Sequence, residues 1–181
     1  MRSGETDEMS RAAVVCAVYL LFPGCAWSLP TVDGSVRPGE YGRSISLLDG
    51  AVTVSWQTDA SGGLFVAVSA ATTGWVGLGL GSVVMDGAHI FMGSVRNGTP
   101  VFSEQVGAGH SHLPSPNRSA DSFAVGEHDG TTTLEFHVPA DKVPRDGMKV
   151  DFIVAYSGSS DLTTFHEDNH DGGFMDLSPD D

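Results

Sequence analysis

The stretch "DLTTFHEDNHDGGFMDL", Asp161 to Leu177, places His166 and His170 among Asp161, Glu167, Asp168, Asp171 and Asp176. Imidazole and carboxylate are the side chains that bind metals and move protons near neutral pH. His170 with Asp168 and Asp171 offers an oxygen-rich set of the kind that suits calcium, although the ligand spacing of an EF-hand loop is missing. A second pair, His110 and His112 in "GAGHSHLPSP", lies two positions apart. On an extended segment that spacing puts both rings on one face, where a transition metal could bind with help from His170, Asp168 or Asp171. The plainer alternatives are polar loops, one of them beside Pro114 and Pro116. His128 and His137 read as surface residues, and no Ser-His-Asp or Cys-His arrangement is legible.

The elements that must position these groups are short and β-rich. "AVTVSWQTD" alternates Val52, Val54 and Trp56 with Thr53, Ser55 and Gln57, and a Ser-Gly-Gly turn leads from it into "GGLFVAVSAATT". "HIFMGSV" and "TPVFSEQV" flank Asn97-Gly98, a second hairpin signal. "TTTLEFHVPA" predicts Leu134, Phe136 and Val138 facing inward, with Thr133, Glu135 and His137 outward; "MKVDFIVAYSG" alternates Val150, Phe152, Val154 and Tyr156. Turn residues recur at the short spacing of an antiparallel sandwich or barrel. No internal repeat and no long amphipathic helix is visible. Gly74, Gly77, Gly79, Gly81 and Gly87 crowd "TTGWVGLGLGSVVMDGAH", which predicts either a bulge at a strand edge or the close approach of a flat ligand.

With 181 residues the chain suits one domain with a proper core. Its net charge of −14 argues against a phosphate backbone or an anionic lipid surface as partner. The apolar run Ala12–Phe22, after Arg11 and before "PGCAWS", predicts an export signal over residues 1–28 and hence a secreted, extracellular or periplasmic location. The run is too short to span a bilayer, so no membrane span is expected in the mature chain. One domain is expected over residues 29–177, with a tail at 178–181. Both cysteines, Cys16 and Cys25, fall inside the predicted signal, which leaves the mature chain without disulfides or thiolate sites.

Taken in order, "DGSVRPGEYGRSISL", "VTVSWQTD", "LFVAVSAATTGWVGLGLG", "MDGAH", "SVRNGTPVFSEQVGAGHSHLPSPN", "TTTLEFHVP" and "VDFIVAYSGSSDLTTFH" resemble the DOMON domain family, in its cytochrome-like branch. The resemblance spans roughly residues 32–177. It implies an all-β, immunoglobulin-like antiparallel β-sandwich of about ten strands with little helix. It also implies a haem b in a pocket at one end, held through a methionine and a histidine. Met85 of "MDGAH" and His166 of "TTFHEDN" match those two positions, while His89 stands where the family usually has Asp. A haem closed by two axial ligands carries electrons, and a neutral thioether raises its potential relative to two imidazoles. Attachment would be noncovalent, for want of a Cys-x-x-Cys-His segment.

The resulting expectation is an electron carrier rather than a complete enzyme, exchanging electrons with a redox partner protein or a membrane cytochrome. The alternative is a haem-free module that binds a carbohydrate or another small ligand, with Tyr41, Trp56 and Trp75 stacking on it.

Overall fold

A computed structural model describes residues 28–179. The predicted export signal, apart from Ser28, and the last two residues of the predicted tail lie outside the described residues. Eleven strands follow in order: β1 (Arg43–Leu47), β2 (Val52–Thr58), β3 (Leu64–Ala70), β4 (Val76–Leu80), β5 (His89–Arg96), β6 (Thr99–Ala108), β7 (Ser111–Pro114), β8 (Ser122–His128), β9 (Thr131–Val138), β10 (Lys149–Tyr156) and β11 (His170–Asp176). The helical content among the described residues is two single-turn 3₁₀ segments, Leu48–Gly50 and Ala140–Lys142. All pairings are antiparallel, in a five-stranded sheet ordered β1-β2-β3-β9-β8 and a six-stranded sheet ordered β11-β10-β4-β5-β6-β7. No helix among the described residues is long and apolar enough to cross a membrane.

The core forms where the alternation predicts it. Val52, Val54, Val66, Val68, Leu134 and Phe136 of one sheet meet Val76, Leu78, Leu80, Phe91, Phe152 and Val154 of the other, all essentially buried. Phe91 stacks on Phe136 across the two layers at 4.2 Å between ring centroids. The β5–β6 turn at Asn97-Gly98 has positive φ at both residues (51° and 75°), the type I′ geometry that fits the twist of paired strands.

Two local expectations need correction. Glu135 does face away from the core, yet it is fully buried, because the segment before β1 covers that face of the five-stranded sheet. Its Oε2 accepts the backbone N–H groups of Asp33 (3.1 Å), Gly34 (2.7 Å) and Ser35 (3.1 Å), and Oε1 accepts the Tyr41 hydroxyl (2.8 Å). His137 is mostly buried, its side chain 14% exposed: Nδ1 lies 2.8 Å from Asp121 Oδ1, Nε2 lies 3.1 Å from Asp59 Oδ2, and the ring packs on Phe65.

Candidate functional site

A cavity of about 870 Å³ lies over the outer face of the six-stranded sheet rather than at one end of the sandwich. That volume is in the range of small-molecule and cofactor sites. Alternation within β4 explains its floor. Val76, Leu78 and Leu80 point into the core, so Gly77 and Gly79 face outward and leave the strand bare. β4 pairs in unbroken register with β5 and β10 through both glycines, which removes the bulge reading. A side chain at Gly77 would begin 3.3 Å from Met92 Cγ, and one at Gly79 would begin 2.9 Å from Ile153 Cγ1. Ile90 and Met92 of β5, Ile153 and Ala155 of β10, and Trp75 supply apolar walls around this bare strip.

Met85 enters from the connection between β4 and β5, and His166 from the connection between β10 and β11. Both line this cavity, so residues far apart in sequence meet at one site. Met85 packs, half-buried, against the cluster of Trp75, Ala88, Ile90 and Met92. His166 is held by its neighbours: its Nδ1 lies 2.8 Å from the carbonyl oxygen of Glu167, which can only accept, so Nδ1 carries the proton. The lone pair is thereby left on Nε2, the arrangement seen when a histidine is oriented as a metal ligand. Burial pushes the pKa of His166 below its usual value; the Glu167 carbonyl opposes the shift, and His170 and His112 add to it. The ring is therefore neutral at pH 7.

Trp75 fixes the approach of this histidine. Its indole N–H donates to the Thr164 carbonyl (3.1 Å), and its backbone exchanges hydrogen bonds with Ser157 and Ser159 at the start of the same connection.

The remaining histidines sort differently. His110, in the turn between β6 and β7, His112 on β7 and His170 also line the cavity, but His110 is not on the extended segment that would put it on one strand face with His112. His112 Nδ1 pairs with Gln105 Oε1, and His170 meets His166 edge-on at 4.9 Å between centroids. Among the described residues no group of three or more His, Cys, Asp or Glu side chains is disposed to hold a metal ion, so neither the transition-metal set nor the calcium set assembles. The predicted calcium loop instead runs into β11, an edge strand paired with β10. His89 stays out of the cavity; it stacks on Phe91, with Nε2 3.3 Å from Glu104 Oε2. Tyr41, Trp56 and Trp75 are all buried and occupy separate places, Tyr41 against Glu135, Trp56 against the Asp176 carbonyl and Trp75 in the cavity wall, so they form no common stacking face.

Sequence reasoning missed Met92, Ile153 and Phe165, which line the cavity from alternating or irregular segments whose outer face carries no signal of being covered.

Comparison with known proteins fits this architecture. The sequence model of the DOMON domain matches residues 48–154. No curated protein matches by sequence. Among solved structures, the cytochrome b domain of pyranose dehydrogenase from Coprinopsis cinerea superposes with a TM-score of 0.57 at 14% identity, covering 74% of this chain and 80% of that one. The cytochrome domain of Myriococcum thermophilum cellobiose dehydrogenase gives 0.51 at 14% identity, with coverage of 70% and 75%. At that identity the likeness is one of fold.

Proposed function

The chain belongs to the DOMON domain family, and from that premise we propose that its outer-face cavity holds a haem b, noncovalently, between the Met85 thioether and the His166 imidazole, and that the domain carries electrons. The observation that carries this reading is the meeting of Met85 and His166 in one apolar cavity whose floor is bared by Gly77 and Gly79. The site fits such a group on three counts: a strip of strand without side chains, walls of Trp75, Ile90, Met92 and Ile153, and one nitrogen and one sulfur donor of suitable softness.

Bound haem supplies reversible one-electron chemistry. The protein's part is to hold and tune. His166 stays neutral, its Nδ1–H donating to the Glu167 carbonyl, and so keeps the Nε2 lone pair available. Met85 supplies an uncharged donor that favours the reduced state. The apolar walls would lower the polarity around the bound group, which would also raise its potential. Cys16 and Cys25 both precede the domain, which supports noncovalent attachment.

The mouth carries Val83, Val84 and Phe165, exposed at 61%, 57% and 70%. Asp86 and Asp171 also line the cavity, and among the described residues no Lys or Arg does. An apolar rim in an acidic setting suits a partner with a basic patch. The two similar structures are described as cytochrome domains of dehydrogenases, which supports a redox protein as that partner; a membrane cytochrome is equally compatible. The chain would act as a carrier outside the cytoplasm, in keeping with its predicted export signal.

The test is an absorption spectrum of protein produced with a haem supply. A sharp Soret band, with α and β bands on dithionite reduction, is expected. His166→Ala should abolish or strongly weaken uptake, and Met85→Ala should keep the haem but lower its potential. A colourless protein that takes up no added haem would overturn the reading.

A further inference from the structure

The connection that carries Met85 lies directly on the end of β6. A Cβ atom built on Gly107 would sit 1.6 Å from the Met85 carbonyl oxygen and 2.6 Å from its carbonyl carbon. Both are backbone atoms, so no side-chain rotation could relieve the clash. Gly107 does not have the positive φ that would itself call for glycine. Space for the Met85 backbone is thus what the missing side chain provides.

Hydrogen bonds secure the contact. Gly107 N–H donates to the Ala88 carbonyl (2.9 Å), and Gly87 N–H donates to the Gly107 carbonyl (3.1 Å). Two residues on, Gly109 N–H donates to Asp86 Oδ1 (2.7 Å). Within the connection, Ala88 N–H donates to the Met85 carbonyl (3.1 Å), the same oxygen that a Gly107 side chain would strike.

We propose that Gly107 is a positioning residue for Met85: its bare backbone lets β6 clasp the Met85 peptide and so fixes the direction in which the thioether enters the cavity. The inference rests on the haem reading for its functional meaning. It also explains why Met85 serves in place of Met92, which is 2% exposed and lies in the regular register of β5 within the cavity wall.

Gly107→Ala is the direct test. In haem-loaded protein it should retain the Soret band, lose the spectroscopic signature of thioether ligation, and bind added imidazole at least about tenfold more tightly, because the sixth position is open. In a Met85→Ala background the same substitution should add nothing, a result a merely structural role would not give. Gly130→Ala is the control: its φ of 77° strains any side chain, but no atom lies within 4 Å, so it should reduce stability without touching the Met85 signals.

A second readout needs no haem. With [methyl-13C]methionine, the Met85 resonance of the apo protein should move in Gly107→Ala, while that of the core residue Met175 stays in place. If Gly107→Ala does not accumulate, Asp86→Ala carries the test by removing the clasp at Gly109 without any clash. It should move the same resonance and raise imidazole affinity.

Wild-type protein that takes up haem through Met85, together with a Gly107→Ala variant of unchanged ligation and imidazole affinity, would overturn the positioning role and leave the haem reading intact. Wild-type protein that takes up no haem would overturn the haem reading. The methyl spectrum would then still decide the clasp, and an unmoved Met85 resonance would refute it.

Discussion

Trp75 meets His166 edge-on, 6.5 Å between ring centroids at 85°, and donates its indole N–H to the carbonyl of Thr164, two residues before that histidine. One side chain thus forms part of the cavity wall and also tethers the segment that brings His166 to it. The tether ties a buried donor to the carbonyl of a loop that is otherwise mostly exposed, so its loss should be felt locally.

Trp75→Phe keeps the ring and deletes the donor. We expect a stability loss of about 1 kcal/mol, the usual net worth of one hydrogen bond. Amide exchange should accelerate over residues 159–166 before it does in the core strands, and haem affinity should fall. Exchange in that segment equal to wild type would refute the tether.

Gly77→Leu tests the bare floor. A Cβ there meets Met92 Cγ at 3.3 Å and the Phe91 carbonyl oxygen and Trp75 Cζ3 at an ordinary 3.5 Å, so a small shift of the Met92 side chain should let the fold tolerate the new side chain while it fills the cavity. Uptake of a flat ligand should fall by at least about tenfold, equivalent to ~1.4 kcal/mol, with the thermal midpoint little changed. Gly79→Leu should do worse, because its Cβ would meet Ile153 Cγ1 at 2.9 Å and Ala88 Cβ at 3.1 Å. Undiminished binding by Gly77→Leu would place the ligand elsewhere.

Glu135 collects four hydrogen bonds in a fully buried position. In Glu135→Gln the amide must turn its NH₂ toward either the three backbone donors or the Tyr41 hydroxyl. We expect a cost of about 2–4 kcal/mol in urea unfolding and early proteolysis within residues 30–41. Tyr41→Phe, which removes one donor, should cost about 1–3 kcal/mol. Equal, small losses in both variants would contradict the network.

Asp59 gives the acid response a direction. Burial works against its ionisation, but hydrogen bonds from the Ser61 hydroxyl, the Gly63 and Ser61 backbone and His137 hold its pKa at about 2, below the ordinary 3.8. A carboxyl whose folded value is lowered adds stability that is present above the unfolded value and is lost as pH falls through the folded one. The contribution should therefore fade between about pH 4 and pH 2. Asp59→Asn should be less stable at pH 7 and should show a shallower decline over that window. Parallel stability curves for the two proteins would refute the assignment.

Alternation made much of the frame readable. β2, β3, β9 and β10 follow their apolar periods, and Asn97-Gly98 marks its turn. What period two cannot tell is whether an outward face is covered. Alternation puts Glu135 outward, but the segment at residues 30–41 that covers it has no periodicity of its own to announce it. The expectation of a pocket at one end of the sandwich came from the family likeness; the Gly77 and Gly79 face of β4 instead lies under two connections. His137 looked solvated because Asp59 and Asp121, its partners, are distant in sequence. β11 was hidden by composition: "HDGGFMD" has few strand formers and takes its conformation from its pairing with β10. Met85 and His166 came from family likeness, since neither residue type carries a local signal strong enough to single it out.

The wall between cavity and core is one strand thick. Leu78 belongs to the interior, whereas Gly77 and Gly79 on either side of it belong to the pocket. Lineages of this domain can therefore rewrite the residues that choose a guest molecule while the interior stays untouched.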